Sequence, residues 1–193
     1  MPSAVFLKSA ASPADFPVDT GREVAFVGRS NSGKSTAVNL VTGARKLARV
    51  SKTPGRTQLL NFFALGDDRR LVDLPGYGFA RVAPETQARW RRALESYLTH
   101  RASLAGLIVT MDIRRGVTPL DDQLLRWLEP RGLPVAVLLT KADKLSRGAA
   151  IAAERKLAAE LGPATRVTRF SALTGDGVAE AQAWIDAWLD PPE

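Results

Sequence analysis

The feature that most constrains this chain is a glycine-rich loop between an apolar run and a helical segment. The run covers residues 24–27, and the loop that follows reads Gly28-Arg29-Ser30-Asn31-Ser32-Gly33-Lys34-Ser35. A GxxxxGKS loop between a strand and a helix points its backbone N–H groups, and the positive end of the helix, at nucleotide phosphates. We expect Lys34 to reach the β- and γ-phosphates and the Ser35 hydroxyl to ligate Mg²⁺. The alternative is an ordinary glycine-rich turn.

Size and composition narrow the class of protein. A chain of 193 residues is long enough for one domain with its own core. It contains no cysteine and one histidine, His100, which excludes disulfides, thiol nucleophiles and His-centred metal clusters. Residues 1–20 hold only short apolar pieces, so we expect neither a signal segment nor a membrane span, and a cytoplasmic protein.

The formal net charge of +7 favours a polyanion as a partner. The same excess of basic residues also fits a genomic base bias, so the charge alone does not identify the polyanion.

Strand-like and helix-like segments alternate along the chain. Six strands are predicted, at 24–27, 59–65, 70–73, 107–111, 135–139 and 166–170. Gly66-Asp67-Asp68 joins the second and third strands as an antiparallel hairpin. Together with the phosphate loop, this pattern predicts a three-layer α/β P-loop NTPase fold, with a mostly parallel six-stranded sheet and one antiparallel edge hairpin. Residues 1–22 are expected to be an irregular lead-in, and residues 23–190 a single domain.

Parallel strands end at one sheet edge, so the loops that follow them should meet around one ligand. Asp73-Leu74-Pro75-Gly76 follows the third strand. We expect the Asp73 carboxylate to hold Mg²⁺ through a water and the Gly76 N–H to meet a γ-phosphate. A random turn is the alternative for so short a pattern.

A second such loop predicts the choice of base. Thr140-Lys141-Ala142-Asp143 follows the strand that ends at residue 139. The Asp143 carboxylate can accept hydrogen bonds from guanine N1–H and the 2-amino group, which adenine lacks, while the Lys141 stem lies along the base. After the last strand, the Ala172 N–H can donate to guanine O6. The alternative for Asp143 is a solvated helix cap.

A loop between the first helix and the hairpin is expected to respond to the nucleotide. It carries the basic residues Arg45, Lys46, Arg49 and Lys52, and then Thr57. The Thr57 hydroxyl can join Mg²⁺ when a γ-phosphate draws the loop in. The basic residues are either presented to RNA by this closure or form a merely solvated surface.

Four segments together resemble the EngB (YihA/YsxC) family of bacterial ribosome-assembly GTPases, within the TRAFAC class. They are GRSNSGKS, TPGRTQLLNFF, DLPGYGFA and TKAD, in order and at similar spacing, and the likeness spans roughly residues 5 to 190. The resemblance implies a Ras-like G domain that binds GTP, GDP and Mg²⁺. It also implies a monomer that associates with the large ribosomal subunit and its RNA during assembly, and a requirement in cell division and septation.

Read with this resemblance, the sequence predicts the following site. The nucleotide-binding residues are Gly28, Arg29, Ser30, Asn31, Ser32, Gly33, Lys34, Ser35, Thr36, Gly55, Arg56, Thr57, Gln58, Leu59, Asp73, Leu74, Pro75, Gly76, Thr140, Lys141, Ala142, Asp143, Phe170, Ser171 and Ala172. The metal ligands are Ser35, Thr57 and Asp73, and the catalytic residues are Lys34, Thr57 and Gly76.

Two positions, Tyr77 and Thr140, depart from GTPases at large, and a third, Asn31, resembles some of them. Tyr77 stands where Ras-like enzymes have the glutamine that orients water, which predicts slow intrinsic hydrolysis. Asn31 resembles a residue that helps hold K⁺ in related GTPases, and its alternative role is a turn residue. Thr140 replaces the usual asparagine, which predicts a weaker tie between the base loop and the phosphate loop.

Two other functions fit parts of the sequence. A P-loop kinase of a small metabolite would share Lys34 and Ser35 but would not need residues 140–143. A non-switching RNA-binding domain would explain the charge but not the nucleotide loops.

Overall fold

The computed structural model describes residues 3–44, 47–48, 59–66, 68–77 and 84–191. Seven strands in this part of the chain form one sheet, in the order β1-β3-β4-β2-β5-β6-β7. The strands are β1 (Val5–Ala10), β2 (Arg22–Gly28), β3 (Leu60–Ala64), β4 (Arg69–Asp73), β5 (Leu104–Asp112), β6 (Val135–Thr140) and β7 (Thr165–Arg169). Strands β4, β2, β5, β6 and β7 are mutually parallel, and β3 is antiparallel to β4 and to β1.

The α/β class, the mostly parallel sheet and the antiparallel hairpin are confirmed, but the strand count is wrong by one. The seventh strand, β1, lies inside the segment predicted to be an irregular lead-in. It pairs antiparallel with β3 and takes the edge position expected of the hairpin. Val5, Phe6 and Leu7 are exposed. The β1 sequence has neither a longer apolar run nor a clean alternation of apolar and polar residues, the two patterns that would predict a strand.

Five helices cover the two faces of the sheet. They are α1 (Lys34–Val41), α2 (Pro84–His100), α3 (Pro119–Leu128), α4 (Arg147–Leu161) and α5 (Val178–Leu189). Buried side chains of α1 and α5 pack on one face, around Phe26 and Ile108. Buried side chains of α2, α3 and α4 pack on the other, around Val27 and Val109. The central strands are therefore covered on both faces, as their continuous apolar sequences require. No helix among the described residues combines the length and apolar content of a membrane span.

A buried ionic cluster fixes the amino end of β2. The Glu23 carboxylate is fully buried and accepts hydrogen bonds from Arg70 Nε at 2.7 Å, Arg101 Nη2 at 2.7 Å and the Tyr97 hydroxyl at 2.8 Å. The two guanidinium groups also donate to the carbonyl oxygens of residues 17, 18 and 20. The Glu23 carboxylate thus joins β2 to β4, to α2 and to the residue that follows α2, and its two arginine partners hold the chain segment before β2.

Replacing Glu23 tests this cluster. We expect Glu23→Gln to lower the free energy of unfolding by about 3–5 kcal/mol, because it leaves the buried Arg70 guanidinium without a counter-charge and leaves Arg101 with only the more distant Asp19. The measurement is urea denaturation followed by circular dichroism.

The matched control is Asp190→Asn, which breaks the exposed pair between Asp190 and Arg69 and should cost less than about 1 kcal/mol. If both variants lost the same free energy of unfolding, burial would not explain the stabilising effect of Glu23.

A candidate nucleotide site at the carboxyl edge of the sheet

The phosphate loop joins β2 to α1 and is shaped by two glycines. Gly33 adopts a left-handed φ of 88° and caps the amino end of α1. A Cβ on Gly28 would lie 2.1 Å from Thr110 Oγ1 and 2.6 Å from Ser32 Oγ, so only glycine fits there. The Ser32 and Thr110 hydroxyl groups share a hydrogen bond of 2.7 Å. The loop is thus held against β5, with the first turn of α1 facing the sheet edge.

Lys34 and Asp73 meet at this edge. Lys34 Nζ donates to Asp73 Oδ1, and the two side chains are 8% and 2% exposed. The predicted phosphate-binding lysine and the predicted metal-binding carboxylate are therefore brought together. Ser35 lies on the first turn of the same helix and is half-buried. An ammonium, a carboxylate and a hydroxyl in one place form a donor set suited to phosphate and to a hard cation such as Mg²⁺.

The segment after Asp73 is bonded directly to the phosphate loop. The Tyr77 N–H donates to the Gly28 carbonyl at 3.2 Å, and the Ser30 N–H donates to the Tyr77 carbonyl at 3.1 Å. Leu74, Pro75 and Gly76 between them are buried. Two of the predicted loops are therefore in contact, as expected from the ends of neighbouring parallel strands.

The Tyr77 side chain is buried and reaches α3. Its hydroxyl donates to Asp121 Oδ1 on α3, and Asp121 Oδ2 accepts from the Thr118 N–H and hydroxyl at 2.8 and 2.7 Å. Burial, aided by the Asp121 charge, raises the pKa of Tyr77 well above its ordinary value. The phenol therefore stays protonated and engaged with α3.

The base loop is tied to the phosphate loop by two side chains. The Thr140 hydroxyl donates to the Ser32 carbonyl and, at 3.1 Å, to that of Met111. Lys141 Nζ donates to the Asn31 carbonyl at 2.7 Å. The short Thr140 hydroxyl thus reaches the phosphate loop directly, and the expectation that this tie is weaker than the asparagine one stays a prediction. Asn31 itself has a φ of 63°, the geometry of its alternative role as a turn residue.

Asp143 and the loop after β7 form the far side of the opening. Ser171 Oγ donates to Asp143 Oδ1 at 2.9 Å, and the Lys144 ammonium lies 3.3 Å from Oδ2. These groups, the Ser171 hydroxyl first, lower the pKa of Asp143 and keep it ionised. The Ala142 N–H donates to the Phe170 carbonyl at 3.1 Å, which joins the two loops. Ala172 is exposed beside them, and its N–H has no acceptor among the described residues.

Sequence reasoning missed two carboxylates at this edge. Asp112 ends β5 and pairs with Lys141 and Arg114, and Asp121 binds Tyr77. For Asp112 a signal was present, because it directly follows a buried strand at the edge where the other loops meet. For Asp121 the contact depends on how α3 packs against the sheet, which the local sequence does not reveal.

Part of the predicted site lies outside the described residues. This holds for Gly55, Arg56, Thr57 and Gln58, and for the basic residues Arg45, Lys46, Arg49 and Lys52. Leu59 is exposed immediately before β3, and Thr36 is half-buried on α1.

Comparisons with known proteins agree with this arrangement. The family model of the 50S ribosome-binding GTPases matches residues 23–141. The probable GTP-binding protein EngB of Nitrosococcus oceani is 50% identical over 94% of this chain and 92% of its own length. That of Methylobacillus flagellatus is 49% identical over 99% of this chain and 94% of its own length.

Solved structures share the fold. A probable GTP-binding protein EngB superposes with a TM-score of 0.70 at 24% identity, covering 86% of this chain and 98% of that chain. Era in complex with MgGDPNP and nucleotides 1506–1542 of 16S ribosomal RNA superposes with a TM-score of 0.70 at 22% identity, covering 90% of this chain and 58% of that chain. From these matches and the loops above, this chain is a GTPase that belongs to the 50S ribosome-binding GTPase family and, within it, to the EngB GTP-binding proteins.

Proposed function

We propose that this protein is a nucleotide-dependent switch that binds GTP or GDP with Mg²⁺, hydrolyses GTP slowly and acts in assembly of the large ribosomal subunit. The observation that carries the proposal is the link from Thr140 to Ser32 and from Lys141 to Asn31, which sets a guanine-selective loop beside a phosphate loop. Neither a small-metabolite kinase nor a non-switching RNA-binding domain accounts for that link. We propose a single G domain as the acting unit, whose sheet includes β1, ahead of the predicted start at residue 23.

Mg²⁺ in this site would be held by the Ser35 hydroxyl, the Asp73 carboxylate and, in the GTP state, the Thr57 hydroxyl. Mg²⁺ is commonly held by one or two carboxylates together with substrate phosphates, and the single buried carboxylate of Asp73 fits that pattern. When bound, Mg²⁺ neutralises charge on the β- and γ-phosphate oxygens. Lys34 contributes a second positive charge there, and the Gly76 N–H a hydrogen-bond donor to the γ-phosphate.

Slow hydrolysis follows from the side chain that succeeds Gly76. Tyr77 has no amide to orient a water, and its hydroxyl is engaged with Asp121. K⁺ held near Asn31 is proposed to supply transition-state charge compensation. Asn31 is exposed, and its left-handed turn is compatible with such a site.

The cellular role rests on family membership and on charge. Era, which shares the fold, is seen with 16S ribosomal RNA, and a net charge of +7 favours RNA as a partner. We propose that the protein works as a cytoplasmic monomer on the large subunit, that GTP-driven closure of the loop before Thr57 presents its basic residues to RNA, and that normal cell division and septation depend on it.

Asp143→Asn tests base selection. An amide cannot accept from both guanine N1–H and the 2-amino group, so we expect GDP affinity to fall by about 100-fold or more, while xanthosine diphosphate gains affinity. Fluorescence titration with labelled nucleotides, with ATP as competitor, measures both. Asp122→Asn on the exposed side of α3 is the control. Unchanged GDP affinity, or equal ATP affinity for the parent protein, would contradict the proposal.

Tyr77→Phe separates stability from catalysis. The variant leaves Asp121 with one donor fewer, so we expect the free energy of unfolding to fall by about 1–3 kcal/mol. The single-turnover rate of GTP hydrolysis should stay within about twofold of the parent, because the hydroxyl is already engaged with Asp121. A tenfold slower rate would give Tyr77 a catalytic role.

Hydrolysis measured in KCl and in NaCl tests the K⁺ site. We expect faster turnover in KCl and loss of that difference in Asn31→Ala. Equal rates in the two salts would remove the K⁺ proposal.

Co-sedimentation with ribosomal subunits tests the partner. We expect binding to the large subunit with a GTP analogue and weaker binding with GDP. Charge reversal at Arg45, Lys46, Arg49 and Lys52 should weaken binding and flatten its salt dependence. No dependence on nucleotide would contradict the switch.

A further inference from the structure

Asp112 occupies a central place at the carboxyl edge of the sheet. It is the last residue of β5 and pairs in register with Thr140 of β6, and the following Ile113 N–H donates to the Thr140 carbonyl at 3.0 Å. Its side chain is 4% exposed. A buried carboxylate in this position requires partners, because burial of an isolated charge is costly.

Those partners come from two sides. Lys141 Nζ donates to Oδ2 at 2.9 Å. Arg114 donates through Nε to Oδ1 at 2.9 Å, through Nη2 to Oδ2 at 2.6 Å and through its backbone N–H to Oδ1 at 3.1 Å. Asp112 therefore joins the loop that follows β5 to the base loop.

The bond to Lys141 has a consequence beyond β5. The Lys141 ammonium is shared between the Asp112 carboxylate and the Asn31 carbonyl, and the Lys141 backbone has a left-handed φ of 60°. Lysine has a flexible stem with many rotamers, and a neutral carbonyl alone binds an ammonium less strongly than a carboxylate does. Asp112 thus restrains the position of the Lys141 ammonium more strongly than the Asn31 carbonyl does.

We propose that Asp112 is a positioning residue for nucleotide binding, which holds Lys141 extended between the base loop and the phosphate loop. This inference rests on the proposed function, because it assumes that the guanine nucleotide lies along the Lys141 stem. Asp112 does not touch the nucleotide and acts through the lysine.

The Asp112 carboxylate stays ionised, as this role requires. The Arg114 guanidinium first, and the Lys141 ammonium second, hold the pKa of Asp112 well below its usual range. A depressed carboxylate pKa keeps the group ionised as the pH falls until that lower pKa is reached. The restraint on Lys141 therefore persists through the neutral range.

The role predicts a specific kinetic signature. A lysine that supports the base and the phosphate loop does so equally in the ground state and in the transition state. Loss of such uniform binding raises KM and leaves kcat unchanged. A change in the catalytic groups themselves would instead lower kcat.

A double-mutant cycle on the full-length chain tests the proposal. Asp112→Asn keeps an oxygen for Arg114 and offers Lys141 no negative charge, and Lys141→Met removes the ammonium. We expect each single variant to weaken labelled-GDP binding by about tenfold. The double variant should bind GDP with an affinity within about twofold of that of Lys141→Met. Single-turnover hydrolysis by Asp112→Asn at saturating GTP should stay within about twofold of the parent.

Two further variants separate positioning from loop structure. Arg114→Gln removes the guanidinium bonds to Asp112 but leaves the backbone bond of residue 114 and the Asp112–Lys141 pair, so its loss of affinity should be clearly smaller. Asp190→Asn breaks an exposed ion pair at the other end of the sheet and should bind GDP like the parent. Thermal melts of the nucleotide-free variants check folding. If Asp112→Asn does not fold, Asp112→Glu replaces it, keeps the charge and displaces the carboxylate, and should also weaken GDP binding.

The outcomes are distinct. Three results would overturn the positioning role alone. The Asp112 variant could bind GDP within twofold of the parent, or Asp112→Asn could weaken GDP binding as much in the Lys141→Met background as in the parent. Arg114→Gln could also weaken GDP binding as much as Asp112→Asn does. A parent protein that does not prefer GDP to ADP would overturn the proposed function, and this inference with it.

Discussion

The hydroxyl of Thr140 donates to the carbonyl of Ser32, and this bond joins the ends of two strands that are not neighbours in the sheet. Strand β5 lies between β2 and β6, so the loops after β2 and β6 must bend over its end to meet. Thr110 and Asp112 on β5 support that crossing from below, through Ser32 and Lys141. The separation between the phosphate-binding groups and the base-binding groups depends on this crossing of the two loops.

The two ends of the sheet use charge in opposite ways. At the amino end, Glu23 accepts hydrogen bonds from three side chains, Arg70, Tyr97 and Arg101, and is closed to solvent. At the carboxyl end, Lys34 and Asp73 neutralise each other with a single contact, next to loops that are joined mainly by backbone carbonyls. A buried pair with one contact is easier to exchange for phosphate and a cation than a cluster with several. The sheet is thus rigid at one end and chemically adaptable at the other.

The local sequence was sufficient to predict those parts of the fold that short-range patterns determine. The phosphate loop, the buried strands and the helices each carry a periodicity or a spacing that has one structural solution. Strand β1 carries only a three-residue apolar run, Val5-Phe6-Leu7, and it is defined by its pairing with β3. The contact of Tyr77 with Asp121 could not be predicted, because it depends on how α3 packs against the sheet. Asp112 could be placed at the sheet edge from the sequence, since it directly follows a buried strand, but its bond to Lys141 depends on side-chain geometry. The bond from Thr140 to Ser32 likewise depends on the reach of a hydroxyl group, which a comparison of residue types with other GTPases does not reveal.

The pairing of β1 with β3 bears on the order in which the sheet can form. Ser9 of β1 hydrogen-bonds Asn61 of β3, a residue 52 positions further along the chain. Strands β3 and β4 are consecutive and can pair as a local hairpin, whereas β1 must close a much longer span, at a greater cost in loop-closure entropy. We therefore expect β1 to join β3 after the hairpin has formed, through contacts that include Phe6 with Phe63.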